Sequence, residues 1–184
     1  MGFTIEDGSG EGYRAKVDSS NRLSVSSISE SLEHHTNTIH GDSYNFIFSL
    51  TATVSGSCVL YIKNSSDENI IFESITLRAA SLEIIEIKTN NVGTPVGGTT
   101  ATPANLNAGS NRQAYGTFLV GNNITGLTEG TTVFRYFING SGSSSDYNFD
   151  QDIILPKNRI LTVCFTNSGI QVDGFLSFFF DHPH

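Results

Sequence analysis

The chain of 184 residues contains no Trp, one Met, four Pro and two Cys, and each shortage narrows what it can be. Without Trp, the Cys–Trp–Cys signature of an immunoglobulin domain is missing. The two cysteines, Cys58 and Cys164, lie in unrelated segments without Cys-x-x-Cys spacing, so they form neither a disulfide framework nor a zinc pattern. Each sits in an apolar run, SCVLYI or TVCFT. That context favours two buried thiols acting as small apolar side chains, with a Cys58–Cys164 bridge as the alternative. No apolar stretch approaches the ~18 residues of a membrane span. The opening MGFTIEDGSGEGYRAK lacks the basic start and the apolar run of ~7–15 residues that mark a signal peptide. The expectation is a protein made in the cytoplasm, without export and without a membrane partner.

Basic residues are also scarce, 10 against 18 acidic ones, for a net charge of −8. There is no cationic excess to displace counterions, so a nucleic-acid partner is not expected. Charged residues make up only 15% of the chain, whereas it has 23 Ser, 18 Thr, 16 Asn and 18 Gly. A surface solvated by neutral hydroxyls and amides suits strands and turns better than helices.

What is present is alternation. Residues 1–40 carry three glycines in five positions (Gly8, Gly10, Gly12), a hydroxyl-rich run SVSSISES and few large apolar side chains. Only Asn21 to Ser27 has a strand-like pattern, with Leu23 and Val25 alternating with polar residues, and SISESLEHH has room for one helical turn at most. This segment reads as an extended arm. From Tyr44 the period becomes 2: Tyr44, Phe46, Phe48, Leu50, Ala52 and Val54 share one face, and Ile47 is the sole apolar residue on the other. A Ser-Gly-Ser turn leads into CVLYIKN as the return strand of a hairpin, followed by IIFESITL and LEIIEIK. Connections this short leave no room for βαβ crossovers. Residues 89–114 form a long irregular stretch with one charge, Arg112, and loops above ~12–15 residues are usually functional or interface segments.

The strand-like runs YGTFLVG, TTVFRYFI, QDIIL, RILTVCFT and IQVDGFLSFFF follow. In the last, Ile170, Val172, Leu176, Phe178 and Phe180 share a face, Phe175 and Phe179 point the other way, and Gly174 marks a bulge or a close approach. A strand apolar on both faces lies centrally in a sandwich or faces a partner subunit. The tally is eight or nine strands, read as about eight arranged four and four about a long crossover, and predicts an all-β fold. It is an antiparallel, jelly-roll-like β-sandwich over residues 41–184, preceded by an extended N-terminal arm over 1–40.

Chemistry-bearing patterns are sparse. His34 and His35 are adjacent, His40 precedes the first strand, and His182 and His184 end the chain. None of these makes a metal-ligand cluster by spacing. No Gly-x-Ser-x-Gly elbow is present; DYNFDQD lacks the glycine and terminal Glu of a calcium loop; GSGEG precedes no helix that would make it a P-loop. The expectation is no catalytic residue, no metal and no cofactor. For stacking on a sugar the loop candidates are Tyr13, Tyr115, Tyr147 and Phe149.

The stretch GEGYRAKVDSSNRLSVSSISESLEHHTNTIHGDSYNF, the strand VLYIKNSSDENIIF and the later TPANLNAGSNRQA resemble structural proteins encoded in tailed-bacteriophage genomes. The likeness is to small β-sandwich decoration or cement proteins of the head. It implies a non-enzymatic virion protein that binds and stabilises the assembled head as a homotrimer. Its partners would then be a second copy of itself and the major capsid protein or another virion protein. On that reading the arm lies on the capsid lattice by strand addition, with Leu23 and Val25 as anchors and Arg14, Lys16 and Arg22 against acidic neighbours. Phe175 and Phe179 become subunit-interface anchors. The alternative is a receptor- or glycan-binding β-sandwich head of a tail or fibre.

Overall fold

The structure, a computed structural model, describes residues 16–17, 23–24, 32–128, 130–140, 142 and 144–181. It divides into two units, residues 1–31 and residues 32–184. In the first, β1 (Lys16–Val17) and β2 (Leu23–Ser24) pair antiparallel, Lys16 opposite Ser24 and Val17 opposite Leu23.

The second unit begins earlier than residue 41, with helix α1 (Leu32–Ile39). The single helical turn expected here is a helix of 8 residues. Its sequence, LEHHTNTI, offers no apolar stripe, and Ile39 is exposed. What holds it is tertiary: Thr36 is buried and the helix packs on the first and last long strands of the sandwich. Nothing in the local pattern announces such a contact.

The strands that follow are β3 (Ser43–Thr51), β4 (Cys58–Asn64), β5 (Asn69–Ala79), β6 (Glu83–Thr89), β7 (Gly93–Val96), β8 (Thr99–Thr100), β9 (Ala104–Asn105), β10 (Gly116–Leu127), β11 (Thr131–Ile138), β12 (Ser145–Leu155), β13 (Ile160–Phe165) and β14 (Gln171–Asp181). They form two antiparallel sheets. One runs β12-β5-β14-β3-β9; the other runs β11-β6-β13-β4-β10-β7, with β8 also on β10. The expected hairpin between β3 and β4 is not formed, because these strands lie in different sheets, as do β5 and β6. The six residues between β3 and β4 are enough to cross the ~10 Å between packed sheets. Both strands then find partners far along the chain, β3 with β14 and β4 with β13 and β10.

The core lies between the sheets. Tyr44, Phe46 and Phe48 of β3 and Leu176, Phe178 and Phe180 of β14 meet Leu60, Ile62, Phe118, Leu161, Val163 and Phe165 of the facing sheet. The period of 2 read from the sequence is therefore the core face. Phe178 stacks on Tyr44 and on Phe118, ring centroids 5.5 Å apart in both pairs. Gly174 is a close approach: a Cβ there would run into the Thr76 carbonyl oxygen and meet Phe48 Cζ at 3.1 Å. A smaller cluster, Tyr61, Ile124 and Ile160 with Cys58, Leu119 and Leu127, forms on the outer side of β4.

The long irregular stretch is a strap. Its short strands β7 and β8 pair with β10 in one sheet, and β9 pairs with β3 in the other. At the opposite side β11 and β12 are the outermost strands of their sheets. Rings bridge them: Tyr136 and Tyr147 at 3.9 Å, Phe134 and Phe149 at 5.3 Å.

Candidate interaction surface

Of the arm residues expected to contact a capsid, Arg14, Arg22 and Val25 lie outside the described residues, while Lys16 and Leu23 fall on β1 and β2. Their backbone pairing is the local hairpin of the first unit.

The two phenylalanines of β14 separate. β14 is central in its sheet, hydrogen-bonded to β5 on one side and β3 on the other, and helix α1 also packs against it. Phe179 is fully buried within the protomer, so it presents no surface to a partner. Phe175 is half-buried and sits directly across the ladder from Ile47 of β3, which is 65% exposed. Ile47 was the one break in the alternation of its strand. That break was the signal, and cross-strand pairing with Phe175 turns it into an apolar pair on the outer face of the five-stranded sheet. Polar groups frame the pair: Ser49 donates to Asp173 at 2.6 Å, Gln171 Nε2 donates to the same carboxylate at 3.0 Å, and Ser177 bonds Asn45 at 2.8 Å. The bonds from Ser49 and Gln171 hold the Asp173 carboxyl below the usual range.

A second set of exposed apolar side chains lies on β11, where Val133 and Phe137 are exposed. Arg135, between them, reaches the mostly buried Glu86 of β6, with Nε donating to Oε1 at 2.9 Å, and Lys88 holds the other oxygen at 3.1 Å. Burial pushes the Glu86 carboxyl upward, but the hydrogen bonds from Arg135 and Lys88 outweigh it and hold the group below its ordinary value. Glu83, also buried, accepts at Oε1 from the amides of Ile84, Thr166 and Asn167 at 2.8–3.1 Å. It pins the turn after β13 to the start of β6.

Cys58 and Cys164 form a disulfide. The reading as two separate buried thiols gives way because β4 and β13 are neighbours and place the two residues opposite one another in the ladder. Of the four loop aromatics, Tyr147 and Phe149 are absorbed into the β11–β12 seam, Tyr13 lies outside the described residues, and Tyr115 is 61% exposed. Tyr115 lines a groove together with the β4–β5 turn and Arg112. Among the described residues no group of three or more His, Cys, Asp or Glu is placed to hold a metal ion, and His182 and His184 lie outside them. Among the described residues no helix is long and apolar enough to cross a membrane. Compared with known proteins, the chain matches no family model, no curated protein and no solved structure.

Proposed function

We propose that the protein is a non-enzymatic virion structural protein of a tailed phage, a decoration or cement protein that binds the assembled head as a homotrimer. The observation that carries this reading is the Ile47–Phe175 pair, an apolar contact point on a rigid sheet face with a polar rim. An apolar centre inside a hydrogen-bonding border is the composition of a protein–protein interface. Three further points support it. The strand orders are β12-β5-β14-β3 and β11-β6-β13-β4, and successive strands of these eight alternate between sheets except β6 and β11, which pair. We read this as a jelly roll, an architecture used by capsid and lectin domains, which is support by analogy of fold. The Cys58–Cys164 bridge suits a particle exposed outside the reducing cytoplasm. The sequence itself resembles phage head proteins over most of its length.

A cement protein needs no reaction. Binding only the assembled shell stabilises it by mass action. Trimerisation through Ile47 and Phe175 would leave the arm to reach the capsid lattice. Light scattering on a sizing column tests the assembly. The full chain is expected at three times its 19.9 kDa, and Ile47→Asp at the mass of one chain with an unchanged far-ultraviolet spectrum. A monomeric wild type, or an Ile47→Asp trimer, overturns the assignment of this face. Co-sedimentation of the full chain with heads lacking their decoration layer tests the virion role separately.

A further inference from the structure

The groove beside Tyr115 is lined by Ser65, Ser66, Asp67 and Glu68 on one wall and by Arg112 and Tyr115 on the other, and spans about 560 Å³. That is the size of a small-ligand cleft. Both walls are held from beneath. Asn64, fully buried, donates from Nδ2 to the carbonyl oxygens of Glu68 and Leu155 at 2.7 and 2.8 Å, and accepts from the Ser66 amide at 2.8 Å. On the other side the Arg112 guanidinium is bonded to the buried carboxylate of Asp42, which also accepts from the Tyr44 hydroxyl at 3.0 Å. Asn105 Nδ2 donates to the Arg112 carbonyl oxygen at 3.1 Å. Loops fixed before binding lose little freedom when a ligand arrives.

The chemistry of the lining selects the ligand. Carboxylates only accept, a guanidinium only donates, and a serine hydroxyl does both. The Arg112 side chain is 47% exposed despite its bond to Asp42, and Lys157 is bonded to Asp67 at the groove margin. A phosphate, an anion at neutral pH, would meet the like charges of Asp67 and Glu68. An ammonium, which only donates, would meet Arg112 and Lys157. A sugar hydroxyl donates and accepts, so a polyhydroxylated neutral ligand can use every group. Tyr115, 61% exposed, adds a ring on which the C–H face of a pyranose can stack, with its hydroxyl left to water. We infer that this groove binds a neutral saccharide, with Tyr115 stacked on a sugar ring and Asp67, Glu68 and Arg112 bonded to its hydroxyls. The site goes beyond the decoration role and is independent of the oligomeric state.

The test is a titration of the ¹⁵N-labelled full chain with glucose, galactose, N-acetylglucosamine, maltose, lactose and chitobiose to tens of millimolar, with spermidine and inorganic phosphate as charged probes. At least one saccharide is expected to shift the amides of residues 65–68 and 112–116 saturably. Tyr115→Ala should weaken that binding about tenfold, whereas Tyr115→Phe keeps it within about threefold. The remainder of the spectrum reports that each variant is folded. Absence of any saccharide shift, tighter binding of spermidine or phosphate in the groove, or saccharide binding indifferent to Tyr115→Ala overturns the inference.

Discussion

Phe178 shows how much of this fold rests on single side chains. It is fully buried and touches Tyr44, Phe72 and Phe180 of its own sheet and Phe118 of the facing sheet. Deleting the ring would leave a cavity that four other rings cannot fill without leaving their own contacts. Phe178→Ala is expected to lose about 3–5 kcal/mol in urea unfolding, with an unchanged denaturant slope. Glu86 makes a different contribution. Its carboxyl is held below the ordinary value of 4.5 in the folded protein. The stabilisation is therefore complete above the unfolded-state value and is lost as pH falls through the lower folded-state value. The Arg135 side chain is 57% exposed, so screening limits the contribution to about 1 kcal/mol. Glu86→Gln should be less stable than wild type at neutral pH by about that amount, with the difference closing in acid unfolding as the wild-type carboxylate protonates.

Among the elements, the strands were legible and their partners were not. TTVFRYFI and CVLYIKN coincide with β11 and β4, because an apolar run bounded by turn residues marks a strand whether it alternates, as in β11, or is buried on both faces, as in β4. Pairing carries no such mark. The turn after β3 permits either a hairpin or a crossover, and partners about a hundred residues away or more, β13 and β14, decide between them. The disulfide follows from the same pairing, since Cys58 and Cys164 become neighbours only once β13 lies beside β4. It closes a span of 106 residues, so chain entropy predicts a stabilisation of about 4–5 kcal/mol, an upper value for a link between strands already hydrogen-bonded. A non-reducing peptide map should return the Cys58–Cys164 peptide, and Cys58→Ser/Cys164→Ser should melt well below wild type. A melting temperature unchanged in the double variant would show that the strand pairing alone sets this stability.

For the whole molecule, the sandwich leaves two kinds of surface that the sequence mixed together. Both sides of β14 read as apolar, and Phe175 and Phe179 looked equivalent. The fold closes Phe179 inside the protomer and leaves Phe175 at the surface beside Ile47. If that pair joins subunits, folding and association are linked, and the melting temperature of the wild type rises with protein concentration while that of Ile47→Asp does not. The net charge of −8 opposes association at long range, so the assembly should strengthen as salt screens it.

The amino-acid sequence alone determined the all-β class, the core face of β3 and the lack of a basic excess, because these follow from local period and composition. The crossing of β3 to β4, the helix at 32–39, the bridge between Cys58 and Cys164, the closure of Phe179 and the groove beside Tyr115 were decided only by tertiary structure. Each of these depends on which distant segment comes to lie alongside. Alternation says that a strand has an inside, and only the completed pair of sheets says what the outside meets.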